Sequence, residues 1–185
     1  MRDRIIETSK FLSYVLRHRP EEIGLELDSE GWSDIDALIA AAARNDRRLD
    51  RALIEEVVAS NDKKRFAISG DGLRIRASQG HSTATVRIAH QPVTPPPLLY
   101  HGTASRFVAA IMHQGLRAGA RHHVHLSQEY ATALAVGTRH GVPVVLCVDA
   151  AAMDAAGISF FLADNGVWLT DAVPPRYLSR AHVAT

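Results

Sequence analysis

Half of the eight prolines in this chain, Pro92, Pro95, Pro96 and Pro97, crowd into one six-residue stretch. Proline fixes φ and has no backbone N–H, so neither a helix interior nor a central strand runs through such a segment. Residues 92–97 are therefore expected to form a Pro-rich linker between two lobes, 1–91 and 98–185. Charge follows the same division: residues 1–91 hold 15 basic and 15 acidic side chains, whereas residues 92–185 hold 6 and 5. Either lobe is long enough to bury a core of its own. The net charge of +1 excludes a chain that binds nucleic acid merely by being basic overall, so any polyanion site must be local.

In the first lobe Ile5, Leu12, Val15 and Leu16 share one helix face, and that helix must stop before Pro20. The segment Leu25 to Trp32 alternates around the turn Asp28-Ser-Glu-Gly. Ser33 is placed to cap a helix through Ile35, Leu38 and Ile39, and Asp50 another through Leu53, Ile54, Val57 and Val58. Phe66-Ala-Ile and Leu73-Arg-Ile-Arg flank Gly70-Asp-Gly, a hairpin signal. Three helices followed by a β-hairpin is the order of a winged-helix domain.

The second lobe alternates short strands with short helices. Leu98-Leu-Tyr-His is apolar and is expected to break at Gly102; Phe107, Val108, Ile111 and Met112 have helical spacing up to Gly115. His123-Val-His-Leu reads as a strand, Ser127 as the cap of a helix through Leu134, and Val142 to Val148 as a buried strand. Two further strands are expected at Ile158–Leu162 and Val167–Thr170. Short strands and few charges favour a compact α+β or split-sheet domain over a doubly wound one.

Cys147 stands alone, which excludes an intramolecular disulfide and a cysteine-rich zinc module. No apolar run approaches about 18 residues and the first residues mix charges, so a cytoplasmic protein without a signal peptide or membrane span is expected. No phosphate loop of the Gly-x-x-x-x-Gly-Lys kind and no Gly-x-Gly-x-x-Gly turn is present. What remains are arginines and histidines at breaks in secondary structure. His123 and His125, two residues apart on a strand, form a possible metal pair, but no His-Glu-x-x-His helix or cysteine pair completes it; imidazoles that hydrogen-bond a ligand fit better, with histidines of a pocket wall or an exposed surface as the plainer alternative. Arg17-His-Arg ends the first helix, where cations are favoured in any protein. Lys63-Lys-Arg opens the hairpin and reads as a solvated wing or an anion contact. Trp32 and Trp168 sit in apolar surroundings and read as core. Arg74, Arg76 and Arg139 are candidate contacts to an RNA backbone or a pyrophosphate.

Taken in order, these segments resemble the RNA 2′-phosphotransferases of the KptA type. The resemblance begins at Phe11-Leu-Ser-Tyr-Val-Leu-Arg-His-Arg-Pro and continues through Gly31-Trp, Asn61-Asp-Lys-Lys-Arg-Phe and Ile75-Arg-Ala-Ser-Gln-Gly-His-Ser. It runs on through Tyr100-His-Gly-Thr, His123-Val-His-Leu-Ser and Asn165-Gly-Val-Trp-Leu-Thr to Pro174-Pro-Arg-Tyr-Leu, and so spans nearly the whole chain. It implies a winged-helix lobe that binds RNA, a C-terminal lobe of the ADP-ribosyltransferase fold, and NAD as a consumed co-substrate, with no metal. An internal RNA 2′-phosphate, as in a spliced tRNA, would attack the anomeric carbon of the nicotinamide ribose and expel nicotinamide. The ribose 2″-hydroxyl of the resulting RNA-2′-phospho-ADP-ribose would then attack the phosphate, releasing 2′-hydroxyl RNA and ADP-ribose 1″,2″-cyclic phosphate.

The resemblance places the family's catalytic basic tetrad on Arg17, His18, Arg65 and Arg121. Preorganised guanidinium groups stabilise the charge that gathers on a phosphate under attack, and His18 is the member able to exchange a proton near neutrality. With residues drawn from both lobes, the active site is expected in the cleft between them, and a monomer suffices. For NAD, His101 resembles the first residue of the ADP-ribosyltransferase signature, which holds the adenosine-side ribose. Gly102 follows it as a point of close backbone approach to the carboxamide, with Thr103 and Ser127 as nearby hydroxyls. His125 takes the signature's second position. At the third, where protein-modifying members place a glutamate, this chain has Val167; an anionic phosphate acceptor does not need that carboxylate for activation. Gln79-Gly-His-Ser matches a family motif and reads as a connecting turn.

Two other functions compete. One keeps the first step alone, leaving ADP-ribose on a terminal phosphate of DNA or RNA. The other is a winged-helix regulator whose second lobe senses NAD; against it, the third helix carries Glu55 and Glu56 beside Arg51 rather than a basic reading face.

Overall fold

A computed structural model describes residues 2–61, 64–83 and 85–181. Asp62 and Lys63 of the expected basic motif lie outside the described residues. The chain divides into two compact units, Met1–Ala89 and His90–Thr185, both of mixed helix and small antiparallel sheet, so the α+β class is correct. Among the described residues no helix is long and apolar enough to cross a membrane.

In the first unit α1 (Arg2–Arg17) buries Leu12, Val15 and Leu16, and the chain then leaves the helix through a 3-10 turn at Pro20–Ile23. The two-residue β1 (Ser33–Asp34) leads into α2 (Ile35–Arg44), and α3 (Arg51–Ala59) follows. The cap of α2 lies one residue later than expected. Asp34, not Ser33, accepts from Ala37 N at 2.8 Å, because Ser33 is buried and paired with Ile75 in the sheet. Asp50 caps α3 as its sequence indicates, accepting from Leu53 N at 2.8 Å. Either cap contributes about 1 kcal/mol. The hairpin of β2 (Phe66–Ile68) and β3 (Arg74–Ala77) turns at Gly70-Asp-Gly, and β1 joins on the far side of β3. Leu12, Leu16, Ile35, Leu38, Ile54 and Ile75 meet in one core, each worth about 1.5–3 kcal/mol of transfer free energy.

In the second unit β4 (Leu98–Ala104) does not break at Gly102 but runs on to Ala104. The strand is followed by α4 (Ser105–Gln114), β5 (Leu116–Arg117), β6 (Val124–Leu126) and α5 (Tyr130–Gly137). Next come β7 (Pro143–Asp149), α6 (Ala150–Ala155), β8 (Phe161–Leu162), β9 (Trp168–Thr170), β10 (Ala172–Val173) and β11 (Leu178–Arg180). Three antiparallel sheets result, ordered β11-β7-β4, β6-β9-β8 and β10-β5. Ser127 does not cap α5; the residue before that helix is Glu129, and Ser127 instead exchanges both backbone hydrogen bonds with Tyr100 at 2.8 Å, tying β6 to β4. Leu99, Val148, Met153 and Phe160 lie at the centre of the core, with Trp168 among them. The proline stretch 92–97 is held within this unit: Pro92 bridges Phe161, Val93 N donates to Phe160 O, and Ala151 N donates to Pro97 O.

Gly102 stays inside β4 for a reason invisible locally. A β-carbon there would stand 1.7 Å from the Ala133 carbonyl oxygen of α5. Its missing side chain is what lets α5 lie on β4, so that face of the residue is filled by helix backbone. Gly102→Ala is expected to cost at least about 3 kcal/mol, the upper end of overpacking penalties, because backbone rather than a side chain must yield. Thermal melting followed by circular dichroism should show a drop of several degrees, and an unchanged melt would overturn this account of the glycine.

Candidate functional site

In the first unit the end of α1 and the entry to the hairpin bring three of the four tetrad positions together. Arg17 Nη2 donates to the Arg65 carbonyl at 3.3 Å, with its guanidinium 6.0 Å from the Phe66 ring centre. Arg65 Nη1 in turn donates to Asn61 Oδ1 at 3.3 Å. Lys64, just before it, takes φ +42, a left-handed conformation costing a bulky residue about 1–3 kcal/mol, and its N–H donates to Asn61 O at 2.8 Å.

The segment after β3 is tied into the same cluster, which corrects its reading as a mere turn. Ser82 N donates to Arg17 O at 2.9 Å, and Ser82 Oγ lies 3.0 Å from His18 Nδ1. Ser78 N donates to Arg65 O and Ser78 Oγ to Lys64 O, at 2.9 and 2.7 Å. His81, 4% exposed, anchors the segment beneath Gly31, where φ is +78 and a β-carbon would sit 2.9 Å from His81 Nε2. Gln79 Oε1 is buried without a hydrogen-bond partner among the described residues. Ser82 is thus a positioning residue for His18 that residue-by-residue reading missed; only the motif's final serine pointed to it.

In the second unit His101, His125 and Arg121 form a row. His101 Nδ1 lies 3.1 Å from the His125 carbonyl, which can only accept, so Nδ1 carries the proton and Nε2 a lone pair. Burial is the main cause holding His101 below the ordinary histidine pKa, against the raising effect of that hydrogen bond. The ring is therefore a neutral acceptor at neutral pH. Arg121 Nη1 lies 2.9 Å from His125 Nδ1; a guanidinium only donates, so His125 is neutral there and carries its proton on Nε2. Desolvation lowers Arg121 from the usual arginine value, yet a guanidinium remains charged at neutral pH.

The other expected positions divide. Ser127 is half-buried beside this row. Thr103 is 5% exposed and offers a ligand little surface. His123 packs on His90 and Phe161 and lies 3.7 Å from Asp171. Among the described residues no group of three or more His, Cys, Asp or Glu is placed to hold a metal ion. Trp32 is not core: it is half-buried, with the guanidinium groups of Arg76 and Arg74 4.6 and 5.5 Å from its ring centre. Arg74 also reaches Asp28 at 3.8 Å and Arg76 reaches Glu30 at 3.9 Å, so both are engaged within the unit. Trp168, 6% exposed, is core as expected.

Each of the two α+β units thus gathers basic side chains at the ends of its own elements. The chain belongs to the RNA 2′-phosphotransferase, Tpt1/KptA family, whose model matches residues 3–172. It is 63% identical over 180 residues to a "Probable RNA 2'-phosphotransferase" of Pseudomonas aeruginosa strain UCBPP-PA14, covering 97% of this chain and 99% of that one. Proteins of the same name from Agrobacterium fabrum and Escherichia coli O6:K15:H31 are 61% and 59% identical, covering 93% and 94% of this chain and 92% and 95% of theirs.

The His101 geometry sets a pH dependence. Its folded-state pKa is lowered, so the unfolded chain takes up this proton at higher pH; the stabilisation is full above the unfolded value and is lost as pH falls through the folded one. In a nuclear magnetic resonance titration the His101 ring should change charge at lower pH than a histidine in an unstructured peptide. A midpoint at or above the peptide value would contradict the neutral acceptor.

Proposed function

We propose that this protein is an NAD-dependent RNA 2′-phosphotransferase, with its first unit a winged helix and its second an ADP-ribosyltransferase fold. The helix–helix–helix–hairpin order and the β1-β3-β2 sheet support the former, and the short sheets β11-β7-β4 and β6-β9-β8 the latter. The observation that carries the reading is the row His101, His125, Arg121. It connects the positions expected to hold NAD with a position expected to hold phosphate, so both chemistries meet on one unit's hydrogen-bonded frame.

NAD+ fits the donor set as a co-substrate: a neutral His101 with its Nε2 lone pair accepts from a ribose hydroxyl, and it supplies an anomeric carbon open to attack. Gly102 contributes backbone only, since its side-chain direction faces α5. His125, with Ser127 beside it, orients the reacting ribose. Arg17, His18 and Arg65 hold the RNA 2′-phosphate, with Ser82 fixing the His18 ring. In the second step Arg65 and Arg121 stabilise the charge on the non-bridging oxygens while His18 gives a proton to the departing RNA hydroxyl. The route needs no carboxylate at Val167 and no metal.

Incubation with NAD+ and an RNA bearing one internal 2′-phosphate should give nicotinamide, 2′-hydroxyl RNA and ADP-ribose 1″,2″-cyclic phosphate. ADP-ribose retained on the nucleic acid would favour terminal-phosphate ADP-ribosylation, and no NAD-dependent loss of phosphate would sink the proposal. Arg65→Ala or Arg121→Ala should slow the second step by about 10²–10³-fold and accumulate RNA-2′-phospho-ADP-ribose. His101→Ala should raise KM for NAD+ by about tenfold, the value of one hydrogen bond, with RNA affinity unchanged. Ser82→Ala should lower kcat by about tenfold without lowering the melting temperature.

A further inference from the structure

Beside His18 and Arg65, α1 and the C-terminal end of α3 bound an open groove of about 620 Å³, within the range of roughly 300–1,000 Å³ typical of ligand pockets. Its described walls belong to the first unit. Its α1 wall is built from positions 5, 6, 9, 10, 13 and 14, pairs repeating every four residues, so a single helix face runs along it. From Ile5 to His18 this face is about 20 Å long at 1.5 Å per residue. A phosphate alone does not need that length.

The chemistry of the walls narrows the occupant. Among the described residues no carboxylate lines the groove, although residues 1–91 hold as many acids as bases; its described basic side chains are Lys10, His18 and Arg65. Tyr14 is 44% exposed, and its phenol donates to Glu22 Oε1 at 2.7 Å, which fixes the ring while leaving it open to contact. Ile6, 46% exposed, lines the same groove. A fixed aromatic ring and an apolar side chain beside a cation suit the face of an unstacked base and its backbone phosphate, without a hydrogen-bond code that would demand one sequence.

We propose that this groove binds the single-stranded RNA nucleotides flanking the 2′-phosphate, with Tyr14 and Ile6 against a base and Lys10 on a backbone phosphate. The inference rests on the phosphotransferase reading above. His18 and Arg65 line the groove and also belong to the phosphate cluster, so the strand continues from the phosphorylated ribose along α1. The substrate is then an unpaired stretch of RNA, recognised with little regard to sequence.

The full chain, Tyr14→Ala and Lys10→Glu are compared on a 2′-phosphorylated dinucleotide and on a longer single-stranded oligonucleotide with the same junction. In each variant KM for the oligonucleotide should rise about tenfold while that for the dinucleotide moves less than about twofold, with kcat unchanged. Fluorescence anisotropy with a labelled unphosphorylated oligonucleotide reads the groove apart from turnover. Both variants should bind about tenfold more weakly, and Lys10→Glu should also flatten the salt dependence. Equal losses on both substrates, or undiminished oligonucleotide binding in both variants, would overturn the groove. Binding that depends on Tyr14 and Lys10 in a wild type that removes no phosphate would uphold the groove and overturn the activity. Lys10 is exposed, so Lys10→Glu carries the test should Tyr14→Ala melt early.

Discussion

Helix α5 rests on β4 because two β-carbons are absent. At Gly102 a β-carbon would meet Ala133 O, and at Gly137 one would stand 2.8 Å from Thr103 O. Much of the second unit is hung on this contact. Strand β4 pairs with β7 along seven residues, exchanges backbone hydrogen bonds with Ser127, and carries His101 one residue before the contact. Any sliding of β4 against the helix would move His101 relative to the His125 carbonyl, and the 3.1 Å hydrogen bond that sets its tautomer would be lost. Close backbone packing and imidazole chemistry are here two readouts of a single register.

The first unit solves a different problem, that of holding cations close together. Among the described contacts of Arg17, His18 and Arg65, backbone acceptors, a hydroxyl and an amide oxygen take part: Arg65 O, Ser82 Oγ and Asn61 Oδ1. Acidic partners appear elsewhere, with Asp36 on Arg51 and with Asp28 and Glu30 on the arginines around Trp32. Neutral acceptors of this kind orient a guanidinium without cancelling its charge.

Where spacing and caps carry the signal, the fold was legible in the sequence. The helical faces of α1 and α3, the Asp50 cap and the hairpin at Gly70-Asp-Gly are local properties, and the structure has them. The failures share a cause in tertiary contact. Gly102 looks like a strand end because glycine is usually a local breaker, yet the demand on it comes from Ala133 of α5, 31 residues away in the chain. Trp32 looks like core until two arginines from β3 cover it. Strands as short as β5, β8 and β10 have no periodicity to detect. For the candidate site, motif resemblance supplied the positions, while the contact between Ser82 and His18, 64 residues apart, had no local signature.

The bond from Arg121 to His125 Nδ1 has a consequence for substitution. A guanidinium offers five N–H donors in one plane, so one edge can be committed to an imidazole while another still faces outward. Lysine would restore the positive charge but not the plane: its ammonium has no second edge held in fixed relation to the first. The identity of residue 121 is therefore tied to that of residue 125. The two behave as one heteroaromatic–guanidinium unit, in which replacement of either partner leaves the other with its charge or lone pair but without its direction.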